Sequence, residues 1–282
     1  MDRIAFLNGD TVRLDEARVP IMDRGLLFAD GIYEVSAVLG GGLVDNEAHL
    51  DRLGRSLAAI RIVNPYAPAE WAQHQTELVR RNRLDEGLVY IQVTRGTAER
   101  DFTFPAAARP TVFMFTQARR IVDAPLAVSG AAVITVPDLR WRRRDIKSTG
   151  LLAQVLAKQE AAEAGANEAF MVEDGLVTEG ASSTAFIVTK ANAVVTRPLS
   201  TSVLPGITRQ AVLRLVDEQG LSLDERAFTV EEARAAAEVF YTAASAFVMP
   251  VVSIDGQTIG SGRPGPLATR LRALYIDLAQ SR

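Results

Sequence analysis

The chain has no cysteine and only two histidines, His49 and His74. The first absence removes disulfides, thiolate catalysis and zinc ribbons together. The second leaves no HExxH or comparable spacing, so a metal enzyme would have to rest on carboxylates alone. No apolar run is long enough to span a bilayer. The opening "MDRIAFLNGD" lacks the basic-then-apolar form of a signal peptide, so a soluble, cytoplasmic protein with no membrane partner is expected. A net charge of −3 gives no electrostatic footprint for nucleic acid. The short basic cluster at 140–144, which carries one tryptophan, does not change that expectation.

Lysine is scarce as well. Only Lys147, Lys158 and Lys190 occur among 31 basic residues, the rest being arginine. Where arginine is the default surface cation, a lysine draws notice, because only an amine can lose its proton and attack a carbonyl. Lys147, in "DIKSTG", is the candidate; its ordinary alternative is an exposed cation on a helix.

The 282 residues are enough for two domains, with the apolar content of a globular protein. Asn8-Gly9 between apolar runs predicts a hairpin, and "GIYEVSAVLGGGLV" a second one turning at 40–42. Asn46 is placed as the N-cap of a helix, and Pro68 opens another to about Leu84. Strands are expected at 88–96 and 110–117. The division that follows is a small N-terminal domain (1–117), a linker (118–125) and a larger domain (126–282) carrying Lys147. In the latter we expect short strands at 126–136, a helix from Ser148 to Glu163 stopped by Gly165, and a turn at Asp174-Gly175. A helix beginning at Gly206 and two more at 230–237 and 264–280, beside strands at 239–252, complete a mixed α/β (α+β) pattern.

"LPGITR" has the makings of an anion site: Gly206 permits close approach, the first helix amides are unpaired, and Thr208 adds a hydroxyl. Arg52 could add a bidentate donor. Glu179, before the small residues of "GASS", could hold a ring nitrogen protonated. Singly, each has an ordinary reading as a loop or surface residue. Together, an amine, an acid and a phosphate cradle are what pyridoxal 5′-phosphate requires.

The words "DRGLLFADGIYEV", "HLDRL", "YIQVTRGTAER", "RWRRRDIKS", "LLAQVLAKQEA", "VTEGASSTAF" and "GITR" run in order along almost the whole chain. In them the chain resembles the fold-type IV pyridoxal-phosphate enzymes, and most of all the bacterial D-amino acid aminotransferases. The resemblance implies a two-domain homodimer with the cofactor between the domains. It makes Lys147 the Schiff-base lysine and Glu179 the partner of the pyridine nitrogen. It gives the phosphate to Arg52, Gly206, Ile207 and Thr208, with Ala244 nearby, sets Leu204 against the ring, and puts Ser182 and Ser183 beside it. Tyr33 and Val35 would face the substrate, and Arg100 from the other subunit would take its carboxylate. The implied reaction is ping-pong transamination between a D-amino acid and a 2-oxo acid through an internal aldimine.

Two positions depart from that pattern. Phe102 stands where a carboxylate-binding histidine is expected two residues after Arg100, which admits a bulkier or less polar substrate. Ala244 lacks an expected phosphate-side hydroxyl, for which Thr242 or Ser245 could compensate. The rivals on the same fold are a branched-chain L-amino acid aminotransferase, an (R)-amine transaminase and an aminodeoxychorismate-type lyase. Outside enzymology the alternative is a cofactor-binding regulator.

Overall fold

The structure, a computed structural model, describes residues 3–281, which fold into two compact units. The first runs to Arg120 and includes the later segment Ile146–Gly150; the second comprises Ile121–Asp145 and Leu151–Ser281.

In the first unit the elements are β1 (Ile4–Leu7), β2 (Asp10–Arg13), α1 (Arg24–Phe28), β3 (Gly31–Leu39) and β4 (Gly42–Leu43). They continue with α2 (Asn46–Ala59), α3 (Pro68–Asn82), β5 (Gly87–Thr94) and β6 (Thr111–Ala118). The strands form one antiparallel sheet in the order β2-β1-β6-β5-β3-β4. Asn8 and Gly9 both take positive φ (53° and 100°), the left-handed pair that a two-residue hairpin needs. The period-2 alternation of the strands divides the sheet into two faces. Ile32, Val89, Ile91, Val93 and Met114 pack with Leu50, Leu53 and Leu57 of α2 and Trp71, Leu78 and Val79 of α3. Burying a leucine of this kind contributes about 2 kcal/mol. On the opposite face Tyr33, Tyr90, Phe113 and Phe115 are half-buried, and the Tyr90 ring stacks on Tyr33 (5.7 Å) and Phe115 (4.8 Å).

Two expectations shift here. The N-cap of α2 is Asp45, not Asn46, whose side chain instead joins Ser36 and Gln75. Lys147, expected within the larger domain, belongs with the first unit. Ile146 packs in that unit's core, Ser148 bridges Ile32, and the Tyr33 amide donates to the Lys147 carbonyl (3.0 Å).

The chain leaves β5 through Gly96, whose φ is +96° and whose Cβ position would lie 1.8 Å from the Arg109 carbonyl oxygen. Gly96→Ala should therefore cost about 3 kcal/mol, from a strained dihedral and a backbone clash. Urea unfolding measures this, and an unchanged midpoint would contradict the close approach.

In the second unit the elements begin with α4 (Pro125–Ser129), β7 (Ala131–Pro137), α5 (Leu152–Glu163), β8 (Glu168–Glu173) and β9 (Leu176–Gly180). Next come β10 (Thr184–Val188), β11 (Val194–Thr196), α6 (Ile207–Glu218), β12 (Leu223–Glu225) and α7 (Val230–Ala235). The last are β13 (Glu238–Ala243), β14 (Phe247–Ile254), β15 (Gln257–Thr258) and α8 (Pro266–Gln280). The sheet is mixed, in the order β12-β11-β10-β13-β14-β7-β8-β9, with β15 paired to β14. Asp174-Gly175 makes the expected tight turn with positive φ at both residues (53° and 76°). Where strand was expected from 126, Pro125 instead opens the short α4, and β7 follows. α5 starts at Leu152 rather than Ser148, because Ser148 and the Thr149 amide are engaged by β3 residues. Gly165 (φ +71°) follows its end.

Among the described residues no helix is long and apolar enough to cross a membrane. Nor does any group of three or more His, Asp or Glu among them suit a metal ion.

Candidate active site

In the first unit, β3 presents Tyr33 and Val35 on one face and Glu34 on the other. The half-buried Lys147 places its Nζ 4.1 Å from the centroid of the Tyr33 ring, and its backbone is fixed by Tyr33 and by the Ser56 hydroxyl (3.3 Å). A ring face at this distance attracts an ammonium modestly.

Behind Tyr33 lies a buried ionic cluster. Arg52 of α2 donates from Nε and Nη2 to the two oxygens of Glu34 (2.7 and 2.9 Å), and His49 Nδ1 sits 2.8 Å from the same carboxylate. Burial alone would raise the Glu34 pKa. The Arg52 guanidinium and His49 outweigh it and hold the carboxyl well below the usual range. Burial pushes His49 down, so its imidazole is neutral at pH 7 and its Nδ1–H donates to Glu34. Arg52 is thus locked in orientation by a bidentate pair.

Arg100 and Phe102 occupy the exposed loop after β5. The guanidinium of Arg100 lies 5.3 Å from the Phe28 ring and 5.6 Å from that of Phe102, and the two rings are 5.4 Å apart. Phe102 is 79% exposed. Among the described residues no carboxylate pairs with Arg100.

In the second unit, Glu179 on β9 is buried. It accepts from Arg140 Nη1 and from the Leu204 amide (3.1 Å to Oε2). Burial raises its pKa, and Arg140 and the Leu204 amide oppose that rise. Leu204 was expected to pack against a ring; its backbone N–H serves Glu179. The hydroxyls of Ser182 and Ser183 point to Glu168 (3.4 and 3.0 Å), and a Cβ on Gly180 would meet the Ser183 hydroxyl at 2.0 Å and displace it.

α6 begins at Ile207 and Thr208, both buried, with Gly206 as its cap. A Cβ on Gly206 would meet Thr184 Oγ1 at 2.8 Å, so glycine keeps this approach open. Thr184 pairs across the sheet with Thr242, whose buried Oγ1 has no hydrogen-bond partner among the described residues. Ala244 lies in the short turn after β13 and offers no side-chain donor there. The unpaired first amides of α6 and the hydroxyls nearby make an anion-favouring end.

A family model for the class IV amino-transferases matches residues 31–254. The chain belongs to the class IV aminotransferase family. Among relatives of this aminotransferase, a D-alanine aminotransferase of Bacillus licheniformis is 44% identical over 267 residues, covering 95% of this chain and 94% of its own. One of Staphylococcus haemolyticus is 37% identical over 98% of each chain. Among solved structures, a branched-chain aminotransferase of the archaeon Thermoproteus uzoniensis, solved with norvaline, superposes with a TM-score of 0.86 at 27% identity, covering 99% of this chain and 95% of that one. Another branched-chain amino acid aminotransferase, solved with pyridoxamine 5′-phosphate, superposes with a TM-score of 0.91 at 26% identity.

Sequence reasoning missed Glu34, His49, Asp138 and Arg140. Glu34 had a signal: a charge in phase with core residues of a strand needs a buried partner. Asp138 and Arg140, two apart before the lysine, had none until the fold showed both facing Glu179 or each other.

Proposed function

We propose that the protein is a pyridoxal-phosphate-dependent transaminase that moves the amino group of a D-amino acid, of the D-alanine or D-glutamate type, to a 2-oxo acid. The observation that carries this reading is the 44% identity to a D-alanine aminotransferase over nearly the full length of both chains. The donor set fits the cofactor. A half-buried amine stands at Lys147, a buried carboxylate at Glu179, and at Gly206 a cradle that a Cβ would fill beside Thr242's partnerless hydroxyl.

Lys147 would hold the cofactor's aldehyde carbon, Glu179 its ring nitrogen, and Ile207, Thr208 and Arg52 its phosphate. When bound, pyridoxal phosphate supplies an electron sink for the pair released at the substrate Cα. Lys147 would do the proton work there: freed by the incoming amine, its Nζ would take the Cα proton and return it to the carbon that had carried the cofactor's aldehyde. Tyr33 and Val35 line the approach from β3.

We read the active form as a homodimer. α5 turns Ala157 and Ala161 toward its own sheet and leaves Leu152, Val155 and Leu156 at 72%, 58% and 59% exposure, an aliphatic stripe that a second copy would cover. Arg100, exposed and without a carboxylate, suits reaching into the partner's site.

The aromatic pair Phe28–Phe102 around Arg100 favours a second reading, a transaminase of branched-chain L-amino acids or (R)-amines. The deciding assay supplies 2-oxoglutarate with each donor in turn. D-Alanine should yield pyruvate and D-glutamate; turnover confined to L-leucine or (R)-1-phenylethylamine would transfer the assignment to the second reading. Pyruvate release without an acceptor would instead indicate the lyase chemistry.

A further inference from the structure

Glu179 does not stand alone. It ends a row of alternating charges, almost all of it buried. Arg140 Nη1 donates to Glu179 Oε1, while Nε and Nη2 of the same guanidinium grip Asp138 (2.9 and 2.7 Å). Asp138 also accepts from the Thr178 hydroxyl (2.6 Å), and Arg144 lies 3.3 Å from it. Arg144 in turn pairs with Glu173 (2.9 Å), whose side chain is 31% exposed and reaches the surface. The side chains of Arg140, Asp138 and Glu179 are at most 6% exposed.

Two features of this row bear on chemistry. First, a carboxylate so buried has little water to solvate its charge, and left to itself it would take up a proton and become a donor. Secondly, the arginine that opposes this is not free to swing. All three guanidinium nitrogens are engaged, two of them by Asp138, so the fork presents Nη1 to Glu179 in one orientation.

We propose that Arg140, clamped by Asp138, is the positioning residue that keeps Glu179 ionised and aimed, so that Glu179 acts as an acceptor for a ring N–H rather than as a neutral acid. The role of Glu179 toward a ring nitrogen rests on the function proposed above; the Arg140–Glu179 linkage does not depend on it. Arg140 carries no proton to or from the substrate. It fixes the protonation state of the group that does the holding. Asp138 has a double effect: its negative charge alone favours protonation of Glu179, whereas its grip on Arg140 favours ionisation.

That opposition supplies the test. In full-length protein freed of cofactor and labelled with ¹³C at the glutamate side-chain carboxyl, Glu179→Gln assigns the resonance, which is then titrated. Arg140→Met should move the Glu179 midpoint upward by about 1–3 pH units, and Arg140→Lys, which keeps the charge but loses the fork, by less. Asp138→Asn should also move it upward, because the clamp is lost. A midpoint unmoved in Arg140→Met would overturn the proposal; a downward shift in Asp138→Asn would overturn the clamp and leave bare charge as the explanation. Should Arg140→Met not fold, Arg140→Lys and Asp138→Asn decide, and no upward shift in both sinks the idea. Adding pyridoxal phosphate afterwards separates the two readings. A Glu179 resonance indifferent to the cofactor, with the Arg140 effect intact, would count against the function and not against this linkage.

Discussion

Lys147→Ala should lower transamination by about a thousandfold or more, because on the proposed reading it removes both the covalent anchor and the amine that moves the Cα proton. The yellow colour of the loaded protein should vanish with it. Among the described residues of the first unit no side chain can substitute: nearby are Arg52, a guanidinium paired with Glu34, and His49, buried behind Tyr33 with its Nδ1 committed to Glu34. Stability should change little, since Lys147 is half-buried and is held chiefly through its backbone. Steady-state rates and the visible spectrum are the two readings. An alanine variant that kept its colour and turned over would remove Lys147 from the account.

Glu34→Gln should be the most costly of the substitutions considered for folding, by about 3–5 kcal/mol, because it removes the carboxylate that pairs bidentately with the buried Arg52 guanidinium. The pH dependence follows from the direction of the Glu34 shift. Its pKa is depressed in the folded chain. Its stabilisation is therefore complete above the unfolded glutamate value of about 4.3 and is lost as the pH falls through the folded value. Wild type and variant should thus differ by a constant amount from about pH 8 to about 5 and converge in strong acid. Urea unfolding of cofactor-free protein at several pH values checks both parts, and a difference independent of pH down to full acid unfolding would deny the linkage. Where the variant still folds, its affinity for pyridoxal phosphate should also fall, since Arg52 would no longer be held in one orientation.

Local chemistry was legible in the sequence where it is decided locally. Asn8-Gly9 and Asp174-Gly175 demand left-handed backbone, and both form the turns expected of them. Pro68 opens α3 for the same kind of reason. What could not be read were matters settled by distant parts of the chain. The start of α5 slipped four residues because Ser148 and Thr149 are taken by β3, more than a hundred residues earlier. The Glu34–Arg52–His49 cluster joins a strand to a helix, and a pattern search along either element sees only one partner. The same holds for Ser182 and Ser183, whose hydroxyls turn to Glu168. Lys147 was visible because lysine is rare in this chain; Arg140 was hidden because arginine is common.

The half-reaction tests the central claim most directly. The protein loaded with pyridoxal phosphate is mixed with D-alanine, L-leucine or (R)-1-phenylethylamine, with no 2-oxo acid present, and its absorption is followed. If D-alanine bleaches the yellow band stoichiometrically with pyruvate release while the other two leave it unchanged, the D-amino acid transaminase stands and Arg100 serves without a histidine at 102. If D-alanine leaves the band untouched and L-leucine or the amine bleaches it, the substrate assignment fails at Phe102.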